Sequence, residues 1–313
     1  MPTDDRTGFS HDQLLLLSVC RRCGVIDALT TSAGTAEAVA AETGIETAAA
    51  DTLIGSLERM GFVKDVAGEY EITNRALGFL AKRDPRSIGP LSHELDLFDL
   101  YVELPDRLVS GDEPTFPPYW TENRVGAHAA TPETTVRATV TAALREYPTA
   151  ESVLVLHGES GTYATEFAAR GVAVTMTATE DILEFVKPQL SHSDITLCTD
   201  DLSGIQSYSV DIVVGIGLSA QCTVDQLTTE LSACRRVLAD DGLVVLVETL
   251  ADRSPNPTHQ TLRTLATTGG VYTEAAFRSC FADAGFVYET TNPVPGTDQF
   301  SLVGRERAVN TAR

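Results

Sequence analysis

The chain has 313 residues and a hydrophobic fraction of 43%, enough for one large domain or two medium ones that each bury a core. Its 44 acidic side chains against 23 basic ones leave a formal charge of −21, which argues against the phosphate-neutralising surface that nonspecific nucleic-acid binding needs. No apolar run approaches the length of a membrane span and the start of the chain is polar, so the expectation is a cytoplasmic protein that neither crosses a membrane nor carries a secretory signal.

Only three lysines occur, Lys64, Lys82 and Lys187, and acidic residues run through the whole chain rather than forming a tail. That distribution keeps a protein hydrated at high salt, so a halophilic source is expected. Cys20 and Cys23 have CxxC spacing, but no second pair completes a tetrahedral site, so no metal is expected. Both read as small core residues on one helical face, reduced in the cytosol.

Leu14, Leu17, Cys20 and Ile26 recur at helical spacing and predict a helix over 11–29. Thr35 then caps a short helix that stops at Gly44, and a third helix carries Leu53, Ile54, Leu57 and Met60. Two short strands around Ala67-Gly68 follow. Helix, helix-turn-helix and hairpin make the winged-helix pattern over roughly 11–80, within a first domain placed at 1–85. A helical region, 86–148, comes next and is interrupted at Pro114, Pro117 and Pro118. Its apolar segment from Leu95 to Leu108, with Tyr119 and Trp120, would line a small-molecule pocket or pack a dimer interface.

The texture changes in the third segment, 149–313, where β-branched apolar strands alternate with helices. One of these helices is expected to run to Gly242, and the chain closes on an antiparallel pair of strands, "FVYETTNPV" and "QFSLVGRE". Consecutive strand–helix units with fully apolar strands predict an α/β fold, a parallel sheet covered on both faces. Ligands of such sheets bind at the carboxyl ends of the strands, which puts the turn from His157 to Thr162 at the expected site.

The order of these elements resembles the small-molecule O-methyltransferases that carry an N-terminal winged-helix dimerisation domain. The resemblance rests on "GVIDALTTSAGTAEAVAAETGIETAAADTLIGSLERMGFV", "YEITNRALGFL", "ACRRVLADDGLVVLVE" and "TTGGVYTEAAFRSCFADAGF", taken together and in order. It implies a Rossmann-like domain with a mostly parallel seven-stranded sheet, a homodimer formed through the N-terminal domain, and S-adenosylmethionine as the possible cofactor.

It also implies positions for the chemistry. The first turn of the family is acidic-x-Gly-x-Gly-x-Gly; here Val155 takes the acidic place, and His157, Glu159 and Gly161 take the glycine places with Gly158 between them. The residues left to meet the donor are His157, Gly158, Ser160 and Gly161. Ala178 stands near the ribose carboxylate position, with Glu180 and Asp181 just beyond, and Asp201 is the first choice of the pair Asp200-Asp201 for the adenine. Ser219 falls where the family has its base His, and Glu248 matches a carboxylate that orients that base but here has no His to orient. His157 reads as a turn cap, as a residue packed on Tyr163, or as a replacement base. A nucleophile elbow is not met, because Thr162 stands where G-x-S-x-G requires glycine.

Two readings follow. The favoured one is a dimeric regulatory or ligand-sensing protein that has lost or weakened its chemistry, since the loop glycines, the carboxylates and the His are replaced together. The other is an active S-adenosylmethionine-dependent O-methyltransferase acting on a small hydroxylated molecule, because alignment alone supplies much of the rate of methyl transfer. A winged-helix DNA-binding regulator ranks below both: Glu46, Asp51 and Glu58 face a single Arg59 on the helix that would read DNA.

Overall fold

The computed structural model describes residues 9–31, 33–76 and 84–306. Most of the polar start and part of "YEITNRALGFL" lie outside the described residues. The chain divides into two compact units, one of Met1–Val109 with Thr115–Ala130, the other of Ser110–Pro114 with Thr131–Arg313.

In the first unit, α1 (His11–Arg22) starts on a capping box between Ser10 and Gln13. The single helix expected over 11–29 is two, because Gly24 takes a φ of 75° and the chain re-enters helix as α2 (Val25–Thr31). The break leaves Cys20 fully buried but puts Cys23 at the exposed cap, correcting its reading as a core residue. Helices α3 (Ala36–Thr43) and α4 (Thr47–Arg59) lead to the hairpin β1 (Val63–Val66) and β2 (Glu69–Ile72). Its turn residues Ala67 and Gly68 both have positive φ, as the right-handed twist of a two-residue hairpin demands.

The same unit contains α5 (Pro85–Ile88), α6 (Leu91–Ser110) and α7 (Trp120–Ala129). Leu95, Leu97, Leu100 and Leu104 of α6 are buried, while Val102, Leu108 and Tyr119 are exposed. A buried polar knot joins three helices: Asp96 receives hydrogen bonds from Arg21 of α1 (2.6 Å) and Asn123 of α7 (2.8 Å), and Asp99 receives them from Ser18 (2.5 Å) and Arg21. Trp120 stacks on Phe116 with ring centres 4.6 Å apart, and the ring of His93 lies 4.8 Å from it.

The second unit opens with α8 (Glu133–Glu146). It then alternates β3 (Ser152–Leu156), α9 (Thr162–Ala169), β4 (Ala173–Ala178), α10 (Glu180–Leu190), β5 (Ile195–Thr199), β6 (Val210–Ile216), α11 (Val224–Cys234) and β7 (Leu238–Thr249). After α12 (Pro257–Ala266) and α13 (Glu274–Asp283) come β8 (Phe286–Pro293) and β9 (Gln299–Glu306). The seven strands lie in the order β5-β4-β3-β6-β7-β9-β8, parallel except where β9 pairs antiparallel with β7 and β8. Helix α11 ends at Cys234 rather than at Gly242, because Leu238 is already paired with Val210 of β6 and the strand begins there.

The direction of the strand order reverses at β3, which has β4 on one side and β6 on the other. A crevice opens at such a reversal, outside the carboxyl ends of the two central strands. The turn after β3 and the loop after β6 are its walls. Among the described residues, no helix is long and apolar enough to cross a membrane.

Candidate functional site

The turn after β3 has positive φ at two positions that carry side chains. His157 and Glu159 both have a φ of 45°, and Gly161 has 75°. Side chains in this left-handed region cost on the order of 1 kcal/mol each, so surrounding contacts must hold them. Those contacts are on the main chain: the Gly158 amide donates to the Thr177 carbonyl (2.8 Å), the Gly161 amide to the Gly158 carbonyl (2.8 Å), and the His157 amide to the Thr177 hydroxyl (3.3 Å). A Cβ on Gly158 would fall 2.2 Å from Met176 Cγ, so Gly158 is required by the packing of the turn on β4. Ser160 is buried, its hydroxyl 2.7 Å from that of Thr162, and its carbonyl accepts from Gln189 of α10 (2.9 Å).

The two replacing side chains reach across the crevice. Glu159 is only 5% exposed, and its carboxylate accepts a hydrogen bond from the Gln221 amide in the loop after β6. His157 lies between two carboxylates, Nε2 at 3.1 Å from Glu230 of α11 and Nδ1 at 3.4 Å from Asp200 after β5. Burial works against charge on this imidazole, but hydrogen bonds and charge from Asp200 and Glu230 outweigh it and raise its pKa to about 10. It is therefore protonated at neutral pH, which weighs against its reading as a replacement base. It is the centre of an ion-pair clamp that ties the turn after β3 to the turn after β5 and to helix α11.

Asp201, the first choice for the adenine, is exposed and bonded within its own turn. Its carboxylate accepts from the Ser203 amide (3.0 Å) and hydroxyl (2.9 Å) and from Thr199 (3.3 Å), and the Ser203 hydrogen bonds hold its pKa low. The neighbour, Asp200, is the one that reaches His157. Glu180 and Asp181 are exposed in the first turn of α10.

Ser219 and Glu248 do meet. Both are buried, and one carboxylate takes the Ser219 hydroxyl (2.6 Å at Oε2) and the Ser219 amide (3.2 Å at Oε1). Glu248 is thus bonded to the serine that the resemblance aligns with the family's His. Burial pushes the Glu248 carboxyl up to about 7, against those hydrogen bonds and the nearby charge of Arg263. The paired glycines brace the same turn. The Gly270 amide donates to the Ser219 carbonyl (2.7 Å), and a Cβ on Gly269 would fall 2.3 Å from the Ala220 backbone.

Gln221 and Glu230 are the residues sequence reasoning left out, and Asp200 was its second choice. Glu230 had a signal, since it lies three residues after Leu227 and four before Cys234, both buried, and so falls on the inner side of α11. Gln221 had none. Among the described residues, no group of three or more His, Cys, Asp or Glu side chains is placed to hold a metal.

No protein-family profile matches the chain, and no curated protein sequence does either. Solved structures do. The mitomycin 7-O-methyltransferase MmcR superposes with a TM-score of 0.66 at 17% identity, over 94% of this chain and 94% of that one. PigF bound to SAH gives 0.67 at 18%, over 94% and 96%. The fold is the Rossmann-like methyltransferase fold. Human N-acetylserotonin methyltransferase in complex with SAM shares this methyltransferase fold, with a TM-score of 0.61 at 16% identity over 94% of this chain and 93% of that one. Likeness at such identity carries the fold and nothing finer, so the chemistry of the crevice rests on its own residues.

Proposed function

We propose that this chain is a methyltransferase-fold protein without working methyl-transfer chemistry, serving as a dimeric regulatory or ligand-sensing protein. The observation that carries the reading is the crevice between the β3 and β6 loops, spanned by Glu159 to Gln221 and by His157 to Glu230. S-adenosylmethionine does not fit these residues. A buried carboxylate stands where the resemblance puts the methionine end of a donor, and a clamped imidazolium stands beside it. No base replaces the missing His: His157 is protonated, and Ser219 spends its proton on Glu248.

Dimerisation through the first unit is supported by exposed Leu15 and Val19, four apart on one face of α1, and by exposed Val102 and Leu108 on α6. The order of α2, α3, α4 and the hairpin supports a winged-helix reading of that unit. Asp51, Glu58 and the single Arg59, all exposed on α4, oppose a DNA-binding role for it. The acidic composition supports a halophilic source.

The competing reading, an active S-adenosylmethionine-dependent methyltransferase of a small hydroxylated molecule, draws on the buried Ser219–Glu248 pair. One experiment separates the two. Calorimetric titration with S-adenosylmethionine and S-adenosylhomocysteine in molar KCl should give no binding up to about 1 mM ligand. Micromolar binding of either would overturn the proposal and turn the work to acceptor substrates.

A further inference from the structure

Three observations about the turn after β3 belong together. Its main chain takes left-handed conformations at 157 and 159, the positions where side chains are least at home. Its hydrogen bonds to Thr177 come from the His157 and Gly158 amides, its packing on Met176 from Gly158 and on Leu190 from Gly161, and none of these uses the His157 or Glu159 side chains. Those two side chains, in turn, make the contacts that leave the turn, Glu159 to Gln221 after β6 and His157 to Glu230 of α11 and Asp200 after β5.

We infer that the crevice is shut by an autoinhibitory contact confined to two side chains, His157 and Glu159, and that the loop beneath them still has the shape to receive an adenosyl thioether or sulfonium. The inference rests on the reading that the chain as it stands holds no such donor. It adds that the obstruction is local and removable, rather than spread through a rebuilt fold. Glycine is the natural replacement at both positions, because it adopts a positive φ without penalty and withdraws the crossing side chain at the same time. The imidazolium clamp also leaves with His157, which frees the Glu230 and Asp200 carboxylates to take hydroxyl or amino donors from a ligand.

The test is a pair of proteins, wild type and H157G/E159G, titrated with S-adenosylhomocysteine by calorimetry, with folding checked by circular dichroism and thermal melting. The expected result is no detectable binding to wild type and, for the double variant, affinity at least roughly tenfold tighter than the limit set by wild type. A folded double variant that binds no better than wild type overturns the inference and leaves the proposed function standing. Tight binding by wild type removes the reading on which both depend. If the double glycine variant does not fold, H157N/E159G takes its place, since asparagine tolerates the left-handed region and is too short to reproduce the clamp. The same two results then decide.

Discussion

Glu248 is a fully buried carboxylate whose pKa burial raises to about 7, above the range of an exposed glutamate. A raised carboxyl pKa means the folded state holds the proton more tightly than the unfolded chain does. The charged form therefore weighs against folding above the folded pKa, and this penalty fades as pH falls toward the unfolded value. Glu248→Gln, which keeps the shape and removes the charge, should raise the thermal midpoint at pH 8 and leave it nearly unchanged at pH 5. An equal shift at both values would show that the carboxylate acts through its hydrogen bonds to Ser219 alone. The resemblance picked out Glu248 and Ser219, but not that they would bond each other, since that depends on the 3₁₀ turn at Leu218–Ala220 being braced by Gly269 and Gly270. His157 was less legible still. Its partners come from segments 43 and 73 residues further along the chain, and no local pattern announces such a meeting.

At the scale of elements, periodicity was a good guide wherever one face of an element is buried, and it failed at ends. The strands β3, β6 and β7 were plain because their apolar runs are covered on both faces. The break at Gly24 is a local glycine stop that the apolar periodicity runs straight through, whereas the end at Cys234 was missed because strand pairing, not propensity, decides it. The polar knot of α1, α6 and α7 was equally invisible in the sequence, and it yields a sharp expectation. Asp96 is fully buried and joins Arg21 to Asn123, so Asp96→Ala should lower stability by about 3 kcal/mol, read as a fall in the urea midpoint. A loss no larger than that of an exposed ion pair would mean that Asp99 alone holds Arg21 in place.

For the whole molecule, the −21 charge sets the terms. Like charges repel across the folded surface, and salt at molar concentration shortens their reach to a few ångströms. Raising KCl from about 0.1 to 2 M should therefore raise the thermal midpoint, and a midpoint that stays flat or falls would count against adaptation to high salt. The division into two units has a further consequence that comes down to one ring. Trp120 is the only tryptophan, and it is stacked on Phe116 among side chains of the first unit, whereas the crevice and its clamp lie in the second. Its emission is an intrinsic optical label for one half of the chain. Fluorescence should follow the unfolding of Asp96 variants closely, while events around Glu248 or His157 will be read from dichroism or heat. A difference between the fluorescence and dichroism transitions of the wild-type protein would reveal whether its two halves melt together or in turn.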